Sequence, residues 1–245
     1  MKTFIKLAGI ILLSTLTLSG TYCNKKADPV RVLLITGFHD FDEPPFYALL
    51  KSFEGITVTE VKHPDAYVML RPENRSSYDV LLLYDMPENI GERERKDFAD
   101  CVKEGKGLVV WHHAYCSYQS WPEYPTIVGG RYQRIPWTDD SGNSHPASTF
   151  KHNVPIRVKV ADTKHPITQG IQDFDVVEET YANGYVKTGV HVLLTTDNPT
   201  STSSVAWTNS YGKAKVATIL LGHDNQVWAN PNFQKLLRQA ILWVK

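Results

Sequence analysis

Between Val30 and Trp111 the chain repeats one arrangement: a short, almost unbroken apolar run, then a stretch with helical spacing. Residues 30–36 (VRVLLIT), 79–84 (DVLLLY) and 108–111 (LVVW) have the character of strands buried on both faces. Residues 56–61 form a further strand. Asp42 opens a helix with Pro44 in its first turn, apolar positions at Phe46, Leu49, Leu50 and Phe53, and Gly55 as its stop. Residues 92–104 make another, with Phe98, Cys101 and Val102 on one face and Gly105 closing it. Strands that alternate with helices imply parallel βαβ units, so the first half predicts an α/β protein with a mostly parallel sheet flanked by helices.

The second half changes character. Residues 121–152 are rich in Trp, Tyr, Pro, Gly and Asp, without clear periodicity. So long a segment reads as a binding loop or lid, or as an insertion whose aromatics pack on the body. Strands are expected over residues 154–160, 175–179 and 190–195. Residues 204–207 and 215–221 suit a hairpin turning near Tyr211-Gly212. The chain closes on a helix capped by Asn230, with Pro231 in its first turn and Phe233, Leu236, Leu237, Ala240, Ile241 and Val244 at a 3.6 period.

The 245 residues begin with Lys2 and Lys6 ahead of an apolar run from Leu7 to Leu18. That is the layout of a secretory signal over residues 1–22, too short for a membrane span. Cleavage is expected after Gly20, or Cys23 is the lipid-bearing first residue of an envelope lipoprotein. Residues 23–29 are then a tether and residues 30–245 one domain. Lys and Arg number 26 against 26 Asp and Glu, with no basic stripe, which argues against a nucleic-acid partner. An oxidising compartment permits a disulfide between Cys101 and Cys116, but Cys101 lies on an apolar helix face and reads as a buried free thiol.

The chemistry gathers at strand ends. His39 follows the first strand, His112 and His113 follow residues 108–111, and His223 follows residues 219–221. If those strands are parallel neighbours, the imidazoles meet at one edge of the sheet, where open α/β sheets bind ligands. Imidazoles are general bases and common metal ligands. Glu178-Glu179-Thr180-Tyr181 ends a strand and puts two carboxylates before a tyrosine: a carboxylate near histidines would complete a metal shell or serve as general acid or base, and the other reading is a solvated strand end. Because consecutive strand residues face opposite ways, His112 is the first candidate and His113 its reserve. No G-x-S-x-G elbow, P-loop, dinucleotide fingerprint or H-E-x-x-H helix is present.

With these residues in view the chain resembles the trehalose-utilisation (ThuA-like) family. The resemblance rests on Thr36-Gly-Phe-His39-Asp40, Tyr78-Asp79-Val80, residues 107–114 (GLVVWHHA), Trp121-Pro-Glu-Tyr124 and Gly129-Gly-Arg-Tyr132. It continues through His165-Pro-Ile-Thr168, Glu178-Glu-Thr-Tyr181, Val205-Ala-Trp207 and Leu221-Gly-His223-Asp224. It implies a flavodoxin-like fold of the class I glutamine-amidotransferase-like type, with an extra β-rich second half. In the amidotransferases a nucleophilic cysteine occupies the turn after the strand equivalent to residues 108–111. His112 stands there, so cysteine amidotransferase activity is not expected.

The resemblance further implies carbohydrate catabolism by way of 3-keto sugars. A C3 ketone acidifies the C2 proton, and its removal lets the C1 substituent leave. The expected site has His112, Glu179 and His113 as catalytic groups and His39, His112 and His223 as ligands of a divalent metal. Trp121, Tyr124, Tyr132 and Trp137 are the expected sugar-stacking aromatics. A non-catalytic carbohydrate-binding protein and a partner subunit of a sugar oxidoreductase are the alternatives.

Overall fold

The computed structural model describes Met1 and residues 28–245; the expected signal, Cys23 and the tether up to residue 27 lie outside the described residues. The parallel strands are β1 (Val30–Gly37), β2 (Ile56–Lys62), β3 (Val80–Asp85) and β4 (Gly107–Trp111), with β1 between β2 and β3, and β3 between β1 and β4. The helices between them include α1 (Glu43–Lys51) and α2 (Glu92–Lys103). Strand alternation divides the core in two. Val32, Leu34, Leu82, Tyr84, Val109 and Trp111 pack with Phe46 and Leu49 of α1, while Leu33, Ile35, Leu81, Leu83, Leu108 and Val110 pack with Phe98, Cys101 and Val102 of α2. The two faces are thus covered by different helices.

The second half adds β5 (Thr149–Val160), β6 (Phe174–Ala182), β7 (His191–Thr195), β8 (Ser204–Tyr211) and β9 (Ala214–Ile219). These strands do not build a separate sheet. The order is β2-β1-β3-β4-β9-β8-β7-β5-β6: β9 joins parallel to β4, and every later pairing is antiparallel. The expected mostly parallel sheet is therefore a parallel core with an antiparallel extension. The last helix, α3 (Pro231–Val244), is capped by the Asn230 side chain and buries all six of its expected apolar positions on the α1 side.

Some boundaries differ. α1 ends at Lys51, with Phe53 buried in the turn beyond, and Asp42 precedes it without a side-chain cap. β5 starts at Thr149, ahead of the expected residue 154, because its first five residues are exposed and lack the alternation that marks a strand. The helix Ala66–Met69 and the 3-10 turn Pro72–Ser77 carry too few turns to have a readable period. Cys101 and Cys116 are both free and buried. Among the described residues no helix is long and apolar enough to cross a membrane.

The antiparallel end of the sheet bends. Four strand steps separate β9 from β6, about 19 Å in a flat sheet. Yet the Glu178 carboxylate on β6 accepts the Gly222 amide, just beyond β9, at 2.6 Å. The bend falls where pairing is thinnest: β7 and β5 share only Leu194–Val160 and Thr195–Lys159. It brings β6 over the carboxyl ends of β4 and β9.

Candidate functional site

β4 ends at Trp111, and His112 begins a 3-10 turn running to Cys116 with φ at +52°, a left-handed conformation uncommon outside glycine. The reversal breaks the strand geometry on which His113 was expected to face away. His113 instead lines a cavity beside the site, its ring 5.5 Å from that of His112. Both His113 ring nitrogens are buried without a protein partner. Burial, with the nearby His112 and His39, holds its imidazole well below the usual histidine range and therefore neutral.

The centre of the site is His112. Its Nδ1 lies 2.7 Å from the Leu220 carbonyl oxygen, which only accepts, so this nitrogen carries the proton. Its Nε2 then faces Glu179 Oε2 at 3.0 Å and the Tyr181 hydroxyl at 2.9 Å. The Tyr181 hydroxyl donates to Glu179 at 2.7 Å, because residues two apart on a strand share a face. His223 Nε2 stands 4.0 Å from the same carboxylate oxygen. Burial opposes charge on His112, but Glu179 and Glu178 outweigh it and raise the imidazole above its usual range. Burial likewise opposes ionisation of Glu179, yet His112 and Tyr181 hold its carboxyl down at about 2.

Glu178, on the opposite face of β6, anchors the loop that carries His223. Its carboxylate accepts the amides of Gly222 at 2.6 Å, His223 at 3.1 Å and Glu179 at 2.9 Å. Burial pushes it up to about 7 against those three donors. Gly222 has φ +108°, and a Cβ there would meet the Trp111 ring nitrogen at 2.2 Å, so only glycine lets the loop pass.

One ligand atom each from His112, Glu179 and His223 lies within 4.8 Å of the others. The donor set fits a divalent ion. The Leu220 carbonyl fixes the tautomer that presents Nε2, the backbone partner that metal-bound histidines usually have. This group differs from the expected set of His39, His112 and His223, with Glu179 in the place of His39. His39 follows β1, which β3 separates from β4, and its ring stacks on His113 at 4.0 Å, outside the ligand group.

Beside these residues opens a cavity of about 530 Å³, lined by His39, His113, Glu179 and Tyr181 on its polar side and by Met86, Cys116, Tyr132 and Phe150 on its apolar side. Its size suits a small molecule. Of the four aromatics expected to stack on sugar, only Tyr132 lines it. Trp121 and Tyr124 are corrected to core residues: they are buried against Phe98 of α2, because the segment after the 3-10 turn folds under the sheet. Trp137 stacks on His145 at 4.4 Å, donates to the Asn183 carbonyl, and lines a separate cleft. Burial thus removes Trp121 and Tyr124 from the aromatic support for a binding protein, while Trp137 remains at its own cleft. Cys116 lines the cavity, and burial raises its thiol, which disfavours the thiolate.

Sequence reasoning passed over Tyr181, the anchoring role of Glu178, and Phe150 and His152. The period-2 spacing of Glu179 and Tyr181 was a usable signal; the others had none.

Fold and site together define an α/β protein whose parallel core carries a histidine–carboxylate centre at the carboxyl ends of β4 and β9. The chain belongs to the ThuA family, described as trehalose utilisation, whose model matches residues 31–244. It is similar to a ThuA-like protein of Parabacteroides merdae, with a TM-score of 0.73 at 20% identity over 89% of this chain and 90% of that one. A ThuA-like protein of Bacteroides uniformis gives 0.67 at 19% identity, over 92% and 95%. PurLQS of Thermotoga maritima gives 0.54 at 14% identity, over 89% and 100%. No curated protein matches the chain.

Proposed function

We propose that this protein is an exported sugar-processing enzyme, acting on a glycoside or a 3-keto-sugar derivative with a divalent ion held by His112, Glu179 and His223. One observation carries the reading: three ligand-type atoms within 4.8 Å of one another, beside a cavity of small-molecule size. The ThuA membership supports the carbohydrate class. Export rests on Lys2, Lys6 and the apolar run after them, and membrane attachment on Cys23.

An ion bound there would supply Lewis-acid polarisation of a substrate oxygen. The chain's own groups do the rest. His113 lines the cavity with unpartnered nitrogens and serves as the base that takes the C2 proton next to a C3 ketone. The C2–H electron pair forms the C1–C2 double bond, and the C1–O bond breaks with its pair leaving on the glycosidic oxygen. That oxygen takes a proton from the acid side of the site, where the Tyr181 hydroxyl stands on Glu179. Tyr132 and Phe150 flank the sugar.

The test is metal analysis and turnover of 3-keto-glycosides in His112→Ala and His223→Ala. Loss of both properties is expected. Wild-type metal content together with wild-type turnover in both variants overturns the reading.

A further inference from the structure

A fourth ligand-type side chain reaches the same carboxylate from the solvent side. β5 and β6 pair in register up to Lys151 and again from Val154, with a break between. Asn153, inside the break, has φ +54°, which asparagine tolerates better than most residues. An irregularity of this kind re-aims the side chains it carries. Here it turns His152 onto the site: its Nδ1 lies 3.4 Å from Glu179 Oε1, and its ring centre 5.1 Å from that of His223. Glu179 therefore faces His112 and His223 with one oxygen and His152 with the other.

The ring spacing is informative. Two imidazoles on one tetrahedral ion, with metal–nitrogen bonds of about 2.0–2.1 Å, place their ring centres about 5 Å apart. The His112–His223 centres are 5.2 Å apart and the His152–His223 centres 5.1 Å, while His152 stands outside the 4.8 Å group and joins it only by closing in from the solvent side.

We propose that His152 is the solvent-side ligand that completes a three-histidine, one-carboxylate set for a first-row divalent ion of Zn²⁺ type. The inference rests on the ion-binding reading of His112, Glu179 and His223. Three imidazoles suit zinc and its neighbours, whereas Mg²⁺ and Ca²⁺ take oxygen ligands. Burial separates the arms: His112 and Glu179 are fixed in the interior, while the His152 side chain is half exposed on an irregular strand and lines the cavity. That arm is the one a substrate oxygen can displace.

The test is calorimetric titration of Zn²⁺ into the metal-stripped chain, with visible absorption of the Co²⁺-loaded form as a second readout. His152→Ala is expected to weaken Zn²⁺ binding at least tenfold and to change the Co²⁺ band. His191→Ala, an exposed histidine paired with Asp162, is expected to alter neither. Wild-type affinity and an unchanged Co²⁺ band in His152→Ala overturn the role of His152. Absence of Zn²⁺ binding by the wild-type chain overturns the ion reading itself, and this inference with it.

Discussion

The Nε2 of His112 meets the Glu179 carboxylate at 3.0 Å across 67 residues of chain, and the Tyr181 hydroxyl touches both. His112 is fully buried and Glu179 nearly so. Removing the imidazole strands a buried carboxylate without its cation and the Leu220 carbonyl without a donor. His112→Ala is expected to cost the metal-free protein about 3 kcal/mol or more, read by urea denaturation. A loss under about 0.5 kcal/mol, the size of a surface change, would contradict the pairing.

Glu178 makes a separate prediction, since it holds the His223 loop without facing the cavity. Glu178→Ala leaves the Gly222 and His223 amides without their acceptor, at about 1–3 kcal/mol for each buried donor. The variant should be less stable and should bind Zn²⁺ more weakly because His223 is no longer held. Intact affinity in the folded variant would show that the loop holds its position unaided.

Gly222→Ala should be worse tolerated than its size suggests. The added methyl would sit 2.2 Å from the Trp111 ring nitrogen and 2.7 Å from the Phe233 ring, at a backbone angle that opposes any side chain. Overpacking and left-handed strain together cost about 3 kcal/mol. Thermal melting of the purified variant measures it.

Trp121 and Tyr132 should behave oppositely, although both stand in the aromatic segment. Trp121→Ala empties a core site and should cost about 3–5 kcal/mol while leaving ligand affinity per folded molecule unchanged. Tyr132→Ala should lower affinity with a smaller stability change. Denaturation and ligand titration on the same samples separate them.

Stability at acid pH should carry a signature of Asp79. The Arg31 hydrogen bonds hold its carboxyl down at about 2, against about 3.9 for an unpaired aspartate. A depressed carboxyl stabilises the fold above the unfolded value, and that contribution fades as pH falls from about 4 to about 2. Asp79→Asn should be less stable than wild type at neutral pH, with the gap narrowing through that window. A gap independent of pH would assign Asp79 a role other than charge pairing.

The parallel core was legible because strands 30–36, 79–84 and 108–111 are buried on both faces, and a strand of that kind has few other places to go. The meeting of His39, His112 and His223 followed from strand order. What could not be read was the bend at β7–β5, which depends on how few residues pair there and brings Glu178 and Glu179 to the histidines. The left-handed turn at His112 and the irregularity at Asn153 were equally hidden. Each reverses the side on which a histidine stands, and neither leaves a periodic trace. Trp121 and Tyr124 misled because composition tells an aromatic segment from a polar one but does not say which way the rings point.

The bend in the sheet has a mechanical meaning. The residues around Glu179 come from strands that a flat sheet would hold far apart, so the site is also the seam along which the antiparallel edge of the sheet closes onto its centre. An ion seated there joins β4, the turn after β9 and β6 at one point. Binding only the closed form, it would raise the unfolding midpoint with concentration. A chelator would then do more than switch off chemistry: it would loosen the seam, and proteolysis should begin near β5 and β6 before it reaches the parallel core.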